Sequence, residues 1–329
     1  MKSLFFGCAT IVGSIFMMVN SSSAGTITFG SGANQFNMEF VTIGNPGNTA
    51  DNTGIPSPAG SVGYSYGIAK YEVSEQMVQV YNNLGPVPII NSSRGPKKPV
   101  TGISWNEAAR FVNWLNTSKG FTPAYKFTST GLTADDSRHI QISLWDPTDT
   151  LDYDPANRMR SKRAVFALPS YNEWYKAAYY DPRTGTYFDY PTGSNTAPSI
   201  TTGGSAPNTA VYSTSGPADV DFAGGLSAYG VMALGGNVLE HEESTFDLLN
   251  LPGPQVRGRR GGWWSSSVAD LSSSSRYAWE AGHRDFVNGF RVVQLSVSPA
   301  AVPEPTSMAI FGLGALGLAY RSRGKRKRG

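Results

Sequence analysis

Three short segments with a helical pattern are separated by long stretches rich in glycine and proline, and this distribution limits what the chain can fold into. Ser104, with Glu107 three residues later, forms a capping box that opens the clearest helix. Ser170 and Glu173 repeat that arrangement, and the segment Ser74–Asn83 begins with a capping serine followed by an acidic residue. With 37 glycines and 21 prolines in the chain, we expect many turns and little regular structure.

Two stretches have the character of β-strands. Phe36–Ile43 alternates apolar and polar side chains, and Tyr66–Ser74 is a second strand candidate. Residues 116–163 and 181–226 are long, polar and rich in turns, so we interpret them as loop excursions of one domain. No internal repeat is visible, and we therefore predict a single domain over residues 25–298.

Residues 1–24 have the layout of a secretory signal peptide. Lys2 supplies the positive start, Leu4–Val19 the apolar centre, and Ser22–Ala24 the small residues that precede cleavage. An uncleaved anchor and a buried N-terminal helix are the alternatives. Cys8, the only cysteine, lies in this segment, so the exported chain is expected to contain none. That excludes a disulfide framework, a thiolate zinc site and a cysteine nucleophile.

Residues 299–329 form a second addressing segment. Met308–Tyr320 is apolar and residues 321–329 are strongly basic, so the basic tail is expected to stay on the cytoplasmic side. The apolar run is shorter than the roughly 20 residues of a full span, and we predict a transmembrane anchor that is either transient or retained. A nucleic-acid-binding tail is the rival interpretation, and the apolar run beside the basic residues disfavours it.

The two ends also distort the charge of the chain. The net charge is +3, but Lys2 and the six basic residues that follow Tyr320 contribute +7. The remainder of the chain therefore carries −4, which describes a mildly acidic domain. Because nucleic-acid binding depends on clustered positive charge, no nucleic-acid partner is expected.

The residue patterns of hydrolases and metalloproteases are missing. The histidines are His139, His241 and His283, and no second histidine stands four residues from His241. Ser272–Ser275 has no His–Asp partners at a diagnostic spacing, which disfavours a serine hydrolase. The residues themselves thus indicate no certain cofactor.

The C-terminal end resembles a PEP-CTERM sorting signal. The resemblance depends on Val302, Pro303, Glu304 and Pro305, followed by the short apolar helix and the arginines. It implies a Gram-negative-type envelope and processing by an exosortase-like enzyme. The destination it implies is the cell envelope, either the outer surface or the extracellular matrix.

Five motifs follow one another through the middle of the chain, namely PVTGISW (Pro99–Trp105), LPSYNEW (Leu168–Trp174), GNVLEH (Gly236–His241), RGGWW (Arg260–Trp264) and GFR (Gly289–Arg291). In this order, over about residues 36–294, they resemble the formylglycine-generating enzyme family, which comprises the sulfatase-modifying factor domains. The resemblance implies an α+β fold, a variant of the C-type-lectin-like fold. We therefore expect short sheets, few helices and much irregular chain.

The enzymes of that family oxidise a substrate cysteine, using two cysteines after the R-G-G motif that hold Cu(I). Counted from Gly261 and Gly262, the corresponding places are Ser266 and Leu271. A serine hydroxyl is a hard ligand, leucine has no ligand atom, and soft Cu(I) prefers thiolates. The copper–thiolate chemistry is therefore excluded, and no catalytic residue is predicted.

The resemblance also implies a possible structural calcium. Gly236, Val238 and Glu240 occupy the family's ligand places, but Ala233 stands where an Asn or Asp ligand is usual. Since Ca²⁺ takes six to eight oxygens, the site would be weakened. The alternative is that Glu240 pairs with an arginine such as Arg260 or Arg291.

Two functions remain open. The first is a non-catalytic binding or structural module, whose ligand face would consist of Trp263, Trp264, Tyr277 and Trp279 and whose ligands would be envelope or exopolysaccharide glycans. These aromatic side chains could instead belong to the core. The second function is an oxidoreductase of the same family that acts by a cysteine-independent chemistry.

Overall fold

The computed structural model describes residues 25–128, 142–251 and 255–295. The predicted signal peptide, the whole sorting segment 299–329 and His139 lie outside these ranges. In chain order, the elements are β1 (Gly25–Ser31), β2 (Asn34–Ile43), β3 (Tyr66–Ala69), α1 (Glu75–Leu84), α2 (Trp105–Thr117), β4 (Lys126–Phe127), β5 (Ile142–Ser143), β6 (Phe166–Ala167), α3 (Tyr171–Tyr179), β7 (Tyr180–Asp181), β8 (Thr186–Tyr187), β9 (Ser199–Ile200), β10 (Thr209–Ala210), β11 (Leu239–Thr245), β12 (Val256–Arg260), a 3₁₀ turn (Val268–Leu271), β13 (Tyr277–Glu280), β14 (Asn288–Gly289) and β15 (Val293–Leu295).

All three predicted helices are present with their caps. Ser104 accepts a hydrogen bond from the Glu107 backbone N–H while the Glu107 carboxylate accepts from the Ser104 backbone, and Ser170 and Glu173 do the same. Ser74 caps α1, which ends before Gly85 as expected. The local capping signals thus fixed each helix start.

The first sheet has the strand order β1-β2-β3-β15-β6, and all of its pairs are antiparallel. The Phe36–Ile43 prediction is confirmed within β2, but the strand predicted over Tyr66–Ser74 ends at Ala69. Beyond Ala69 the chain turns Glu72 inward, where its carboxylate accepts hydrogen bonds from Asn237 Nδ2 and the Val238 backbone N–H.

The second sheet has the strand order β13-β12-β11-β14 and carries the candidate site. Strands β13, β12 and β11 are antiparallel neighbours, while β14 pairs parallel to β11. In this register Glu240 lies opposite Arg260, and His241 lies opposite Arg259. Because side chains alternate between the faces of a sheet, these two pairs point to opposite sides.

The core lies where the helices cover the sheets. Trp105 at the start of α2 and Trp174 in α3 are fully buried, and both indole N–H groups donate to β11, to the Glu242 carbonyl and to Glu240 Oε2 respectively. The two helices are therefore held to the central strand of the second sheet by buried hydrogen bonds as well as by apolar contact.

Where they fall within the described residues, the long polar stretches contain the short strand pairs β4–β5, β7–β8 and β9–β10, joined by turns. In the described ranges, no helix has the length and apolar character needed to cross a membrane. The apolar segment Met308–Tyr320, on which the transmembrane prediction depends, lies outside those ranges.

Candidate functional site

Two glycines shape the turn that follows β12. Gly261 and Gly262 have positive φ angles of 99° and 71°, which favour glycine. A Cβ atom on Gly262 would lie 2.8 Å from Ser266 Oγ and 2.9 Å from Leu271 Cδ1. The structure therefore brings the two positions that stand in place of the family's thiols together around one glycine.

Ser266 closes this turn. Its hydroxyl donates to the Trp263 carbonyl at 2.9 Å and accepts from the Trp263 backbone N–H at 3.1 Å. The side chain is almost fully buried. Its hydrogen bonds are thus local, and they hold the chain in the shape that places Trp263.

Leu271 is fully buried and belongs to a small apolar cluster with Ala210 and Tyr212. The Tyr179 hydroxyl donates to its carbonyl at 3.1 Å. Burial of a leucine side chain stabilises a fold by about 1.5–3 kcal/mol. Leu271, which the resemblance puts at the second thiol place, therefore lies in the core.

Four rings form a row beside this turn, which we call the aromatic row: Trp263, Tyr277, Trp279 and His283. Successive ring centroids are separated by 5.8 Å, 6.3 Å and 5.7 Å, and the last two pairs are nearly parallel, at 21° and 12°. Every member is partly exposed. The row therefore presents a continuous aromatic surface along β13 and the loop that follows.

Trp264 was predicted to share this face, and the structure corrects that prediction. Only 3% of its surface is exposed, and the Arg94 guanidinium covers its ring with Cζ 4.6 Å from the centroid. Trp263 and Trp264 are consecutive in a turn, so they point in different directions. Trp264 belongs to the core, which was the alternative for the whole set.

Hydrogen bonds fix the near end of the row. Burial, together with the Asp270 carboxylate, raises the pKa of Tyr277 to about 12, so its hydroxyl stays protonated and donates to Asp270 Oδ1. The other oxygen of Asp270 accepts from the Ser267 hydroxyl at 2.9 Å. The Tyr277 ring is thereby tied to the 3₁₀ turn that carries Leu271.

A buried basic pair lies behind the row. Arg259 Nε donates to His241 Nδ1 at 3.3 Å, and His241 Nε2 lies 3.4 Å from the Ile103 carbonyl. Burial and the neighbouring guanidinium hold the pKa of His241 well below its usual range. We therefore assign a neutral imidazole with its proton on Nε2.

Glu240 is the partner of Arg291. The carboxylate lies 2.5 Å from Arg291 Nη2, and it also accepts from Trp174 Nε1 at 2.7 Å. The same guanidinium donates to the carbonyls of Met232 and Ala233. These contacts correspond to the arginine alternative considered for Glu240.

The donor set around Gly236, Val238 and Glu240 does not fit a calcium ion in this arrangement. Both Glu240 oxygens are engaged by Arg291, whose buried positive charge would repel Ca²⁺, and Ala233 offers no side-chain oxygen. Across the described residues, no three His, Cys, Asp or Glu side chains are grouped to hold a metal. Calcium remains a prediction for metal analysis to test.

The other two arginines of this region share one carboxylate. Arg260 Nε and Arg276 Nη2 each lie 2.7 Å from Glu242, one on either oxygen. Arg260 also donates to the carbonyls of Ser275 and Ile55. These forked contacts tie separate loops together, which supports a structural role for Arg260, Arg276 and Arg291.

Sequence reasoning missed Arg259 and His283. His283 stacks on Trp279, and the Arg259 guanidinium lies 5.2 Å from the Trp279 ring centroid on the buried side. The signal was the alternation along β12 and β13, in which Arg257 and Arg259 face Trp279 and Tyr277. That signal needs the strand register, which no local motif provides.

Comparisons with known proteins agree with this architecture. A model of the sulfatase-modifying factor enzyme 1-like domain matches residues 37–295, and a PEP-CTERM protein-sorting motif matches residues 301–326. Among curated proteins, the comparison found no match.

Two solved structures resemble the chain over most of its length. Treponema denticola variable protein 1 is 20% identical with a TM-score of 0.54, covering 82% of this chain and 98% of that one. The crystal structure of CarF is 17% identical with a TM-score of 0.52, covering 83% and 98% respectively. At these identities the likeness concerns the fold alone, and it confirms the predicted α+β architecture.

Proposed function

Because the chain belongs to the sulfatase-modifying factor enzyme 1-like domain family and carries a PEP-CTERM sorting motif, we propose that it is an exported ligand-binding module. The sorting motif supports export to the cell envelope and, in general, processing by an exosortase. Display on the outer surface or in the matrix, signal-peptide cleavage after residue 24, and a domain over residues 25–298 are parts of the proposal.

The turn that would hold the redox pair supports a non-catalytic role. The Ser266 hydroxyl donates a hydrogen bond to the Trp263 carbonyl, and Leu271 is fully buried. The family frame is thus retained around Gly262, while its ligand atoms are replaced by a turn-closing hydroxyl and a core side chain. Copper–thiolate oxidation needs two thiolates that this chain does not have.

The observation that carries the binding proposal is the aromatic row. Its four partly exposed rings have centroids 5.7–6.3 Å apart, and large partly exposed aromatic surfaces are typical of recognition sites. The C–H faces of sugar rings are apolar and flat enough to stack on such rings. We therefore name envelope or exopolysaccharide glycans as the ligand class.

Binding to glycans tests this function. The exported protein is assayed by affinity electrophoresis against matrix polysaccharides, and Trp279→Ala is expected to abolish the retardation. Phe121→Ala is the matched control, because Phe121 is also partly exposed (38%) but lies outside the row. Retention of binding by Trp279→Ala, or no binding by the wild type, contradicts the proposal.

The alternative oxidoreductase function is distinguished on the same preparation. Metal analysis and an oxygen electrode are expected to show neither stoichiometric copper or iron nor oxygen consumption. Stoichiometric metal with turnover would establish the cysteine-independent oxidoreductase instead.

A further inference from the structure

One buried arginine lacks the partner that its neighbours have. Arg260 and Arg291 are fully buried and each contacts a glutamate. Arg259 is equally buried, but no carboxylate in the described residues lies within ion-pair distance of it. Its donors reach His241 Nδ1 at 3.3 Å and the His283 carbonyl at 3.4 Å. Nη1 has no hydrogen-bond partner in the described part of the chain.

Further unpartnered donors lie on the same face of the second sheet. Arg257 is two residues from Arg259 and therefore shares its face. Asn288 lies opposite Leu239, and Leu239 is two residues from His241, which faces Arg259. Arg257 Nε and both ends of the Asn288 amide lack partners within the described ranges. Buried donors without acceptors are costly, so this face is suited to receive an acceptor from outside.

The Arg259 guanidinium lies behind the Trp279 ring of the aromatic row. Its Cζ is 5.2 Å from the Trp279 ring centroid, and His283 stacks on the same indole. The His283 side chain is 40% exposed, and its nearest charged neighbour, Asp285 Oδ2, is 3.8 Å away. A ligand carboxylate on the row can reach Arg259 only if the His283 side chain, which stacks beside it on Trp279, moves aside.

The loop that carries His283 is otherwise held firmly. Arg284 forms an ion pair with Glu107, the glutamate of the α2 capping box, and the Asp285 carbonyl accepts from the Gly102 backbone N–H at 3.0 Å. The backbone beside His283 is thus fixed, so the movement that the inference requires is confined to the His283 side chain.

We infer that the aromatic row selects acidic sugars, whose carboxylate is bound by Arg259 while the sugar ring stacks on Trp279. A carboxylate matches the planar donor fork of a guanidinium, and it would supply the acceptor that Nη1 lacks. The inference rests on the proposed function, since it names the class of glycan that the same surface binds. Burial also lowers the pKa of Arg259 to about 9, which an incoming anion would reverse.

Matched oligosaccharides test the inference. Calorimetry compares β-1,4-linked tetrasaccharides of glucose and of glucuronic acid, which differ only at the oxidised carbon. The wild type is expected to bind the acidic ligand about tenfold more tightly, as a charge-assisted hydrogen bond implies. Arg259→Gln is expected to remove this preference.

Asp285→Asn keeps the inference testable if Arg259→Gln does not fold. Asp285 Oδ2 lies 3.8 Å from His283 Nε2 and opposes an incoming carboxylate, so its neutral isostere is expected to improve acidic binding about threefold without affecting the neutral ligand. Equal Trp279-dependent binding of both ligands overturns the inference and leaves the proposed function intact. If Arg259→Gln still prefers the acidic ligand, the inference is also overturned. If the wild type binds neither ligand, both the inference and the proposed function are overturned.

Discussion

The two faces of the second sheet accommodate buried arginines in opposite ways. On one face, Glu240 pairs with Arg291, and Glu242 lies between Arg260 and Arg276. Each guanidinium on that face also donates to backbone carbonyls of distant loops. The charges there are satisfied within the protein, and the arginines connect segments.

On the other face, Arg257 and Arg259 have aromatic neighbours instead of carboxylates. The Arg257 guanidinium lies 4.1 Å from the Trp105 ring centroid, and that of Arg259 lies 5.2 Å from the Trp279 ring centroid. Donors on both side chains remain without partners among the described residues. The comparison teaches that the strand register, and not the residue type, decides which arginine is structural. A slip of one residue would exchange the two faces.

The largest expected loss of stability comes from removing a carboxylate from the face on which the arginines are paired with glutamates. Glu240→Gln leaves Arg291 buried without its counter-charge, and such a loss costs about 3–5 kcal/mol. Arg259→Gln is the control, because it removes a charge that has no carboxylate partner. Urea denaturation should show a clearly larger loss of unfolding free energy for Glu240→Gln. Equal losses would show that the two faces do not differ.

Most of the local structure could be predicted from the sequence, because the signals were short-range. Ser104 with Glu107 and Ser170 with Glu173 mark helix starts within four residues, and both capping boxes are present. The places of the two thiols could also be counted along the chain. The structure adds that Leu271, at the second of these places, is buried in an apolar cluster.

The side of the molecule that carries the aromatic row was less predictable, because it depends on contacts between distant strands. Nothing local distinguishes Trp263, which is partly exposed, from Trp264, which lies under Arg94. Arg259 and Arg260 are consecutive in β12, yet only Arg260 forms an ion pair with a glutamate. The difference arises from the pairing of β11 with β12 across a loop, and a single sequence does not specify that register.

A smaller loss of stability is expected from changes in the turn that follows β12 and contains Leu271. Leu271→Ala should destabilise the protein by about 2–5 kcal/mol, because the side chain is fully buried and its loss leaves a cavity. Val268→Ala is the matched control, since Val268 is only partly buried against the same cluster, and it should cost less than half as much. Thermal denaturation distinguishes them. Comparable losses would mean that the place of the second thiol is not core.

The smallest effect concerns His241, which shares the face of Arg259, and it has a defined pH dependence. Burial, the Arg259 guanidinium and, more weakly, His283 keep the pKa of His241 well below 6.5. The unfolded chain therefore binds a proton on His241 near pH 6.5, whereas the folded protein does not. The contribution of His241 to the free energy of unfolding is thus complete above that pH and falls as the pH drops below it.

Between pH 7.5 and pH 5.5 this one group should remove about 1.4 kcal/mol of unfolding free energy. His241→Asn should reduce the pH dependence by that amount in urea denaturation at the two pH values. The wild type measured under the same conditions is the reference, and the difference between the two pH dependences is the quantity that tests the prediction. An unaltered slope in His241→Asn would mean that His241 is protonated in the folded protein. Arg259 would then lie beside a second buried cation, and an anion bound on that face of the sheet would stabilise the protein further.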